Sequence, residues 1–521
     1  MGIKRYTATQ DNTITNAFES NLTTRGTGSN MGLADSLEVF SIYAQANSSS
    51  NEQTRTLIQF PVLSSDVKTT NSPYSIQADR TAGKIPASGS VSFYLRVFNV
   101  AHNQTLPKDF TLVVSPVSQS WEEGSGLDME NYSDLTYGGT GSNWINASAH
   151  SPWINIANVA NVTQSGGSYL SASWMGAEAT TYDEFNYKQS FTDGTKDVEV
   201  EITGLVEKWI AGDYSNYGIG LMLTSSQASG SRSYYTKKYS ARESEYFFKR
   251  PIIEARWNNS RKDQRGSFYV SSSNLSTADN LNALYLYNYV RGQPTNLANV
   301  GTKPINVRIY TSASGGEVIA AVGSGSVTYQ NAVTGGQVAT GIYSASFALD
   351  TTASIVYDRW FSGSAPGSTG IDGESTIVYH TGSFKPQKFD SSNIYSIPRY
   401  VTTITNLQSE YWNDDAARLR LFTRLKDWSP TIYSVASKEI ENDLIEDAYY
   451  KVYREIDELD VISYGTGSDK HTRLSYDVSG SYFDLEMSLL EKDYSYGIKF
   501  LYYINGAYEE QPEVFKFRVK E

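Results

Sequence analysis

"VEVEITGLVEKWIAGDYSNYGIGLML", residues 198–223, changes its hydrophobic period twice. Val198, Val200 and Ile202 alternate with Glu199 and Glu201, the period of a strand with one face buried. Leu205 and Trp209, like Val206 and Ile210, are then spaced four apart, which predicts a short helix at about 204–211. Thr203 is the expected N-cap and Gly212 the expected stop. Ile219, Leu221 and Leu223 return to the strand period. The helix carries no histidine, nucleophile or metal ligand. Its wide apolar face suits the open end of a β-sandwich, so Trp209 is expected to be buried.

Working outward, strand patterns dominate the whole chain. Buried or half-buried strands are read at 54–62 (TRTLIQFPV), 90–100 (SVSFYLRVFNV) and 109–117 (DFTLVVSPV). Ser, Thr, Asn, Gly and Tyr are plentiful and charged residues make up only 19%, a composition suited to turn-rich sandwiches. With 521 residues the chain is too long for one core. Three consecutive β-sandwiches, jelly-roll or immunoglobulin-like, are expected at 1–257, 258–393 and 394–521. The polar, basic stretch NNSRKDQRG (258–266) marks the first boundary, and GSFKPQKFDSSN (382–393) reads as the second linker. In the third unit, ARLRLFTRL (417–425) and SYFDLEMSLL (481–490) alternate as strands, and YYKVYREI (449–456) reads as another. The acidic stretch at 437–447 reads as a helix.

The net charge is -13 and no basic stripe stands out, which argues against nucleic-acid binding and against an anionic membrane surface. No apolar run approaches membrane-spanning length. Cysteine is absent, so disulfides, thiol nucleophiles and thiolate metal sites are excluded. With no apolar leader pattern at its start, the chain is expected to be made and folded in a cytoplasm.

Catalytic motifs are sparse. His102, His150, His380 and His471 sit in separate segments with no metal-ligand spacing. No GxSxG, HExxH, Walker or dinucleotide-binding pattern occurs, and the Gly-rich GGTGSNW (138–144) neither follows a buried strand nor opens a clear helix. Glu122–Glu123 and Asp414–Asp415 each follow a tryptophan, and paired acids of this kind build glycosidase sites when they face each other across a sugar. Adjacent loop acids are more often solvated turn residues, and the chain is expected not to be an enzyme. No cofactor is expected. Calcium held by loop acids, in TTYDEF (180–185) and TDGTKD (192–197), stays open as a structural ion. The loop at about 124–170 is long and polar with Trp144 and Trp153 embedded in it, which makes it the candidate binding loop. The 39 tyrosines exceed what the cores need, and protein interfaces are the expected use of the surplus.

The order of segments in residues 1–257 is specific: ATQDNTITN, RTLIQFPV, SVSFYLRVFNV, FTLVVSPVSQSWEEGSG, the strand–helix–strand unit and the closing RPIIEARW. It resembles a DNRLRE-type domain, a jelly-roll sandwich of bacterial and archaeal surface proteins related in fold to growth-factor propeptides. The Trp–acid–Gly turn (Trp121, Glu122, Gly124) and the Thr203, Leu205, Val206, Trp209 helix carry the likeness. The 124–170 insertion departs from it. The resemblance implies a non-catalytic scaffold or adhesion role. The start MGIKRYTATQDNTITNAF and the end YGIKFLYYINGAYEEQPEVFKFRV resemble structural proteins of T4-like tailed phages of marine cyanobacteria. The expectation is a virion structural protein of the tail, baseplate, neck or fibre attachment, assembled in the host cytoplasm and homo-oligomeric, with other virion proteins as partners. The alternative is a receptor protein that binds host-surface glycan through Trp144 and Trp153.

Overall fold

The computed structural model describes residues 2–67, 74–103, 106–127, 131–132, 140–154, 163–170, 187–362, 377–388, 398–429, 432 and 442–521. The chain is all-β, built as successive sandwiches around separate hydrophobic cores.

The first core lies between two sheets. A four-stranded sheet orders Ile3–Thr7, Ile252–Arg256, Ser92–Val97 and Val198–Glu201. An eight-stranded sheet runs Tyr187–Phe191, Phe110–Pro116, Ile219–Leu223, Asn51–Gln59, Ser36–Tyr43, Tyr234–Ser240 and Asn99–Val100, with Gln10–Thr15 also paired to Asn51–Gln59. The period-two residues Phe93, Leu95, Val97, Val198 and Val200 line the interior, as their alternation predicts. Asn51–Gln59 is buried on both faces near its end. Ile58 joins this core, while Leu57 joins a second cluster on the opposite side of the sheet.

The helix predicted from the opening stretch spans Thr203–Ala211, and Gly212 closes it in the left-handed region at φ 79°. Leu205, Val206 and Trp209 are fully buried in the first core. The cap differs from the expectation. Ile202 occupies the N-cap position and Thr203 is the first helical residue. The Thr203 hydroxyl accepts from Phe93 N (2.9 Å) and donates to Glu201 Oε1 (3.0 Å). It ties the helix to the neighbouring strand rather than capping its first turn.

The second unit is one eight-stranded sheet folded over its core. Asn282–Tyr287, Ile342–Leu349 and Ala321–Gly323 form one half. Ile305–Ser312, Gly315–Ile319, Val356–Ser362 and Ile377–Phe384 form the other. Val333–Ala339 pairs with Ile305–Ser312 through 333–335 and with Ile342–Leu349 through 336–339, so it belongs to both halves. Gly335 and Gly336 stand at the switch, where a Cβ on Gly335 would lie 2.4 Å from Ser344 O. The final strand takes in 382–384, so the linker reading for 382–393 holds at none of those three residues; 389–393 lie outside the described residues.

The third unit packs a four-stranded sheet (Tyr400–Ile404, Ala416–Leu425, Gly480–Glu486, Ser475–Asp477) on a six-stranded one built around Ser495–Ile504 and Ala448–Arg454. Leu419, Leu421, Phe483 and Leu485 fill the space between them. In the stretch read as helical, 442–447 are not helical and 437–441 lie outside the described residues. Asp443 N bonds Thr423 O (2.7 Å) and Asn442 Oδ1 accepts from Thr423 N (3.0 Å). Ile445 is buried in the core, so these tertiary contacts hold 442–447 out of a helix.

Candidate functional site

Of the sequence-predicted residues of the first unit, the Trp121–Glu122–Gly124 turn, Trp144 and Trp153 come together on the outer face of its eight-stranded sheet, while Thr203, Leu205, Val206 and Trp209 stay with the helix at the first core. Ile14, Leu57 and Val117 form an apolar floor there, covered by Trp121, Trp144, Ala147 and Trp153. Apart from Trp121, the cover comes from the 124–170 insertion, which folds a small sheet of Asn146–Ser148, Ser151–Ile154 and Thr163–Gln164. Trp153 is fully buried and its indole N–H donates to Asn143 O (2.8 Å). Trp144 is 9% exposed, with the Arg55 guanidinium 5.2 Å from its ring centre. Neither indole offers an open face on which a sugar could stack. They are core residues of a secondary hydrophobic layer.

The Trp–acid–Gly turn anchors that layer. Trp121 donates from its indole N–H to Tyr217 O (2.9 Å). Glu122 N donates to Ala147 O (3.0 Å), and Glu122 Oε2 accepts from Gly141 N (3.2 Å). Gly124 sits at φ 85°, and a Cβ there would fall 2.3 Å from Asn30 Oδ1. Only glycine serves at this position. Asn30 donates to Glu123 O (2.7 Å) and Ser142 O (2.8 Å) and accepts from Gly126 N (2.8 Å), so it knits the turn to the insertion. Asn12 bonds Ser142 O and Met31 N in the same way.

The adjacent acids Glu122 and Glu123 do different jobs. Glu123 accepts both side-chain bonds of the Arg242 fork (3.1 Å each) and one from Asp11 N (2.8 Å). Next to it lies Asp11, fully buried, with Oδ2 accepting from Arg242 N (2.6 Å) and Oδ1 without a hydrogen-bond partner among the described residues. Burial pushes the Asp11 carboxyl up to about 7, against the Arg242 N–H bond and with the help of the Glu123 charge. Asp11, Asn12 and Asn30 were not singled out from the sequence. For Asp11 and Asn12 the sequence signal is a polar run, QDNTIT, inside a strand pattern; Asn30 stands in the Gly- and Ser-rich GTGSNMG and carries none.

The other sequence candidates are dispersed. Asp415 Oδ2 accepts from Trp412 N (2.8 Å), a local turn bond beside an exposed indole. His102 edges onto the Tyr235 ring and His471 contacts Asp469 at 3.0 Å. His150 stands in a turn at φ 57°. The loop acid Asp193 accepts from Thr195 N (2.9 Å) and Asp197 from Asn99 N (2.7 Å). The calcium candidates at 180–185 lie outside the described residues. Among the described residues no three acids or histidines group as a metal site.

His380 lines a cleft of about 400 Å³ between the second and third units, with Asp263, Arg265, Tyr285, Tyr287 and Asp477. Arg265 clasps Asp358 with bonds of 2.6 and 2.8 Å, and Trp360 Nε1 adds a third at 2.7 Å. Burial pushes Asp358 up, but these donors prevail and hold it below the usual carboxylate range. Burial raises Asp263 to about 6, opposed by Arg265.

A further cluster of contacts lies where the units meet. Gly2 is wedged so tightly that a Cβ would fall 2.0 Å from Trp257 O and 2.9 Å from His471 O. Ile3, next along the chain, packs in the core of the third unit. Its strand pairs with Ile252–Arg256 of the first unit, from Ile3↔Arg256 to Thr7↔Ile252. Arg5 bonds Glu254 (2.7 Å) with Nε and Val461 O (2.5 Å) with Nη2. Arg96 and Arg256 also reach Glu254, at 3.3 and 2.7 Å. Burial raises Glu254, but these three arginines outweigh it and hold the carboxyl far below the usual range. In the 258–266 connector, Arg261 O accepts from Tyr476 N (2.9 Å), Asp263 N donates to Tyr476 O (3.1 Å) and Lys262 bridges Tyr476.

No family model matches the chain, and no curated protein matches it. Among solved structures, the native conformation of E. coli alpha-2-macroglobulin aligns with 98% of this chain at 8% identity and a TM-score of 0.15. The chain spans 28% of that protein's length. A likeness this loose carries no argument about fold or function.

Proposed function

We propose that this chain is a non-enzymatic structural component of a tailed-phage particle, located in the tail, baseplate, neck or fibre attachment, where it binds other particle proteins. The observation that supports this reading best is the seam joining its first and third units. The N-terminal strand pairs in one unit while Ile3 fills the core of the other. The Arg5–Glu254 cluster and the paired connector add polar ties across it. A chain that returns to close on its own beginning resists shear, because separating the units exposes Ile3 and takes the Val461 O acceptor from the buried Arg5 guanidinium. Mechanical continuity of this kind suits a part that transmits force or holds neighbours in register.

The resemblance of residues 1–257 to a DNRLRE-type scaffold domain points the same way. So does the likeness of both chain ends to proteins of T4-like cyanophages. The test is location. Purified particles, resolved by cryo-electron microscopy or labelled with an antibody to this chain, should carry it at a fixed, symmetry-repeated position. Its presence in infected cells together with its absence from intact particles overturns the proposal.

A further inference from the structure

We propose that a recess on the outer face of the first unit, beside the insertion, binds a primary alkylammonium group, with Glu52 as its acceptor. The recess measures about 560 Å³, in the range of small-ligand sites. Strand alternation builds its floor. Glu38, Phe40 and Ile42 point outward from Ser36–Tyr43, while Leu37 and Val39 point into the core. Glu52 stands on the next strand, directly opposite Ile42 in register.

The two floor carboxylates differ in what they hold. Glu38 is occupied: Oε1 accepts from the Tyr235 hydroxyl (2.8 Å) and meets Lys238 Nζ at 3.0 Å, and Oε2 faces the Tyr132 hydroxyl at 3.4 Å. Glu52 is 1% exposed; its Oε2 accepts from Phe18 N (2.8 Å), and its Oε1 has no hydrogen-bond partner among the described residues. A buried carboxylate oxygen left without a donor is costly, and a ligand that supplies one recovers that cost.

Charge selects the donor. Among the described lining residues, Glu19, Glu38 and Glu52 stand against one ammonium, that of Lys238. The nearby Arg25 guanidinium acts on Glu52 through its charge, but its hydrogen bonds go to Asn16 O (2.6 Å) and Asn51 O (3.1 Å) and it stacks 4.2 Å from the Phe18 ring, so three carboxylates still outnumber two cations. A hydroxyl would satisfy Oε1 but leave the excess negative charge, whereas an ammonium answers both. Phe18, Leu22 and Ile42 supply apolar surface for the methylenes of an alkyl arm. A free alkylamine and the side chain of a partner protein's lysine share this chemistry.

Isothermal titration of the full chain with n-pentylamine, Nα-acetyl-lysine methylamide and n-pentanol tests the assignment. Saturable binding of an amine, with pentanol at least tenfold weaker, is expected. Equal or tighter binding of the lysine derivative identifies a protein lysine as the fitting source; binding of pentylamine alone identifies a free amine. Glu52→Gln should weaken the amine about tenfold, the size of one charge-assisted hydrogen bond. Should that variant fail to fold, Leu22→Lys keeps the test open: Leu22 is exposed at the rim, and a cation there should abolish binding. The proposal is overturned by no saturation with either amine, by equal binding of pentanol, or by full affinity in a folded Glu52→Gln chain.

Discussion

Replacing Lys237 by methionine should stabilise the protein at neutral pH. Lys237 lies on Tyr234–Ser240, just after an irregularity in the pairing with Ser36–Tyr43. It is 0% exposed, and its Nζ has no hydrogen-bond partner among the described residues. The ammonium faces two aromatic rings, 4.7 Å from the centre of Tyr239 and 5.2 Å from that of Phe191. Burial lowers its pKa from 10.5 to about 8, with Asp197 and Asp193 opposing. At about 1.4 kcal/mol per tenfold change in proton affinity, holding the charged form inside costs about 3 kcal/mol at pH 7. Methionine keeps the length and removes the charge. It also forgoes a cation–π attraction of about 1 kcal/mol, so a net gain of about 2 kcal/mol is expected. The sign with pH is definite. Between about 8 and 10.5 the folded chain has lost this proton while the unfolded chain still holds it, so wild-type stability rises with pH across that window. The advantage of methionine should therefore shrink from pH 8 to 10.5. Urea titrations at pH 7, 9 and 10.5, followed by tryptophan emission, read both effects. A Lys237→Met chain less stable than wild type at pH 7, or an advantage that persists unchanged at pH 10.5, refutes the reasoning.

Three further expectations rest on other contacts. Trp209→Ala should cost about 3–5 kcal/mol in chemical denaturation, as buried aromatics do, whereas Trp209→Phe should cost far less, because the buried indole N–H already lacks a partner. The Asp11 carboxyl, raised to about 7 from 3.8, keeps its proton in the fold across that interval while the unfolded chain releases it. Its contribution therefore falls as pH rises from 3.8 to 7, and Asp11→Asn should flatten that part of the stability profile in thermal melts; an unchanged slope counts against a buried, protonated Asp11. Gly2→Ala places a methyl against Trp257 O and should loosen the N-terminal strand, read as faster limited proteolysis within residues 1–9; cleavage at the wild-type rate shows that the wedge at Gly2 is not needed.

Local pattern carried much of the architecture. Alternation located Phe93, Leu95, Leu419 and Leu421 on buried faces, and the four-residue spacing of Leu205 and Trp209 located the helix, because each such signal depends on neighbours in sequence alone. Gly212 ended the helix for the same reason. The candidate site was less legible. QDNTIT is a polar run, yet the whole strand is buried, since the insertion folds back across the sheet with Ser142 and the turn before it supplies the Glu123 carboxylate as partners. Trp144 and Trp153 read as exposed binding residues in a polar loop; the floor of Ile14, Leu57 and Val117 that buries them lies 27 to 139 positions away. Thr203 reads as a cap, and a strand more than a hundred residues earlier takes its hydroxyl. Side-chain period and turn chemistry are properties of a short segment, so composition and spacing were enough to decide the all-β class. Which polar groups are buried, and which carboxylates stand alone, depends on partners brought together only when distant segments pack. Glu52 with its open oxygen and Glu254 with its three arginines look alike in the sequence, and tertiary packing alone sets them apart.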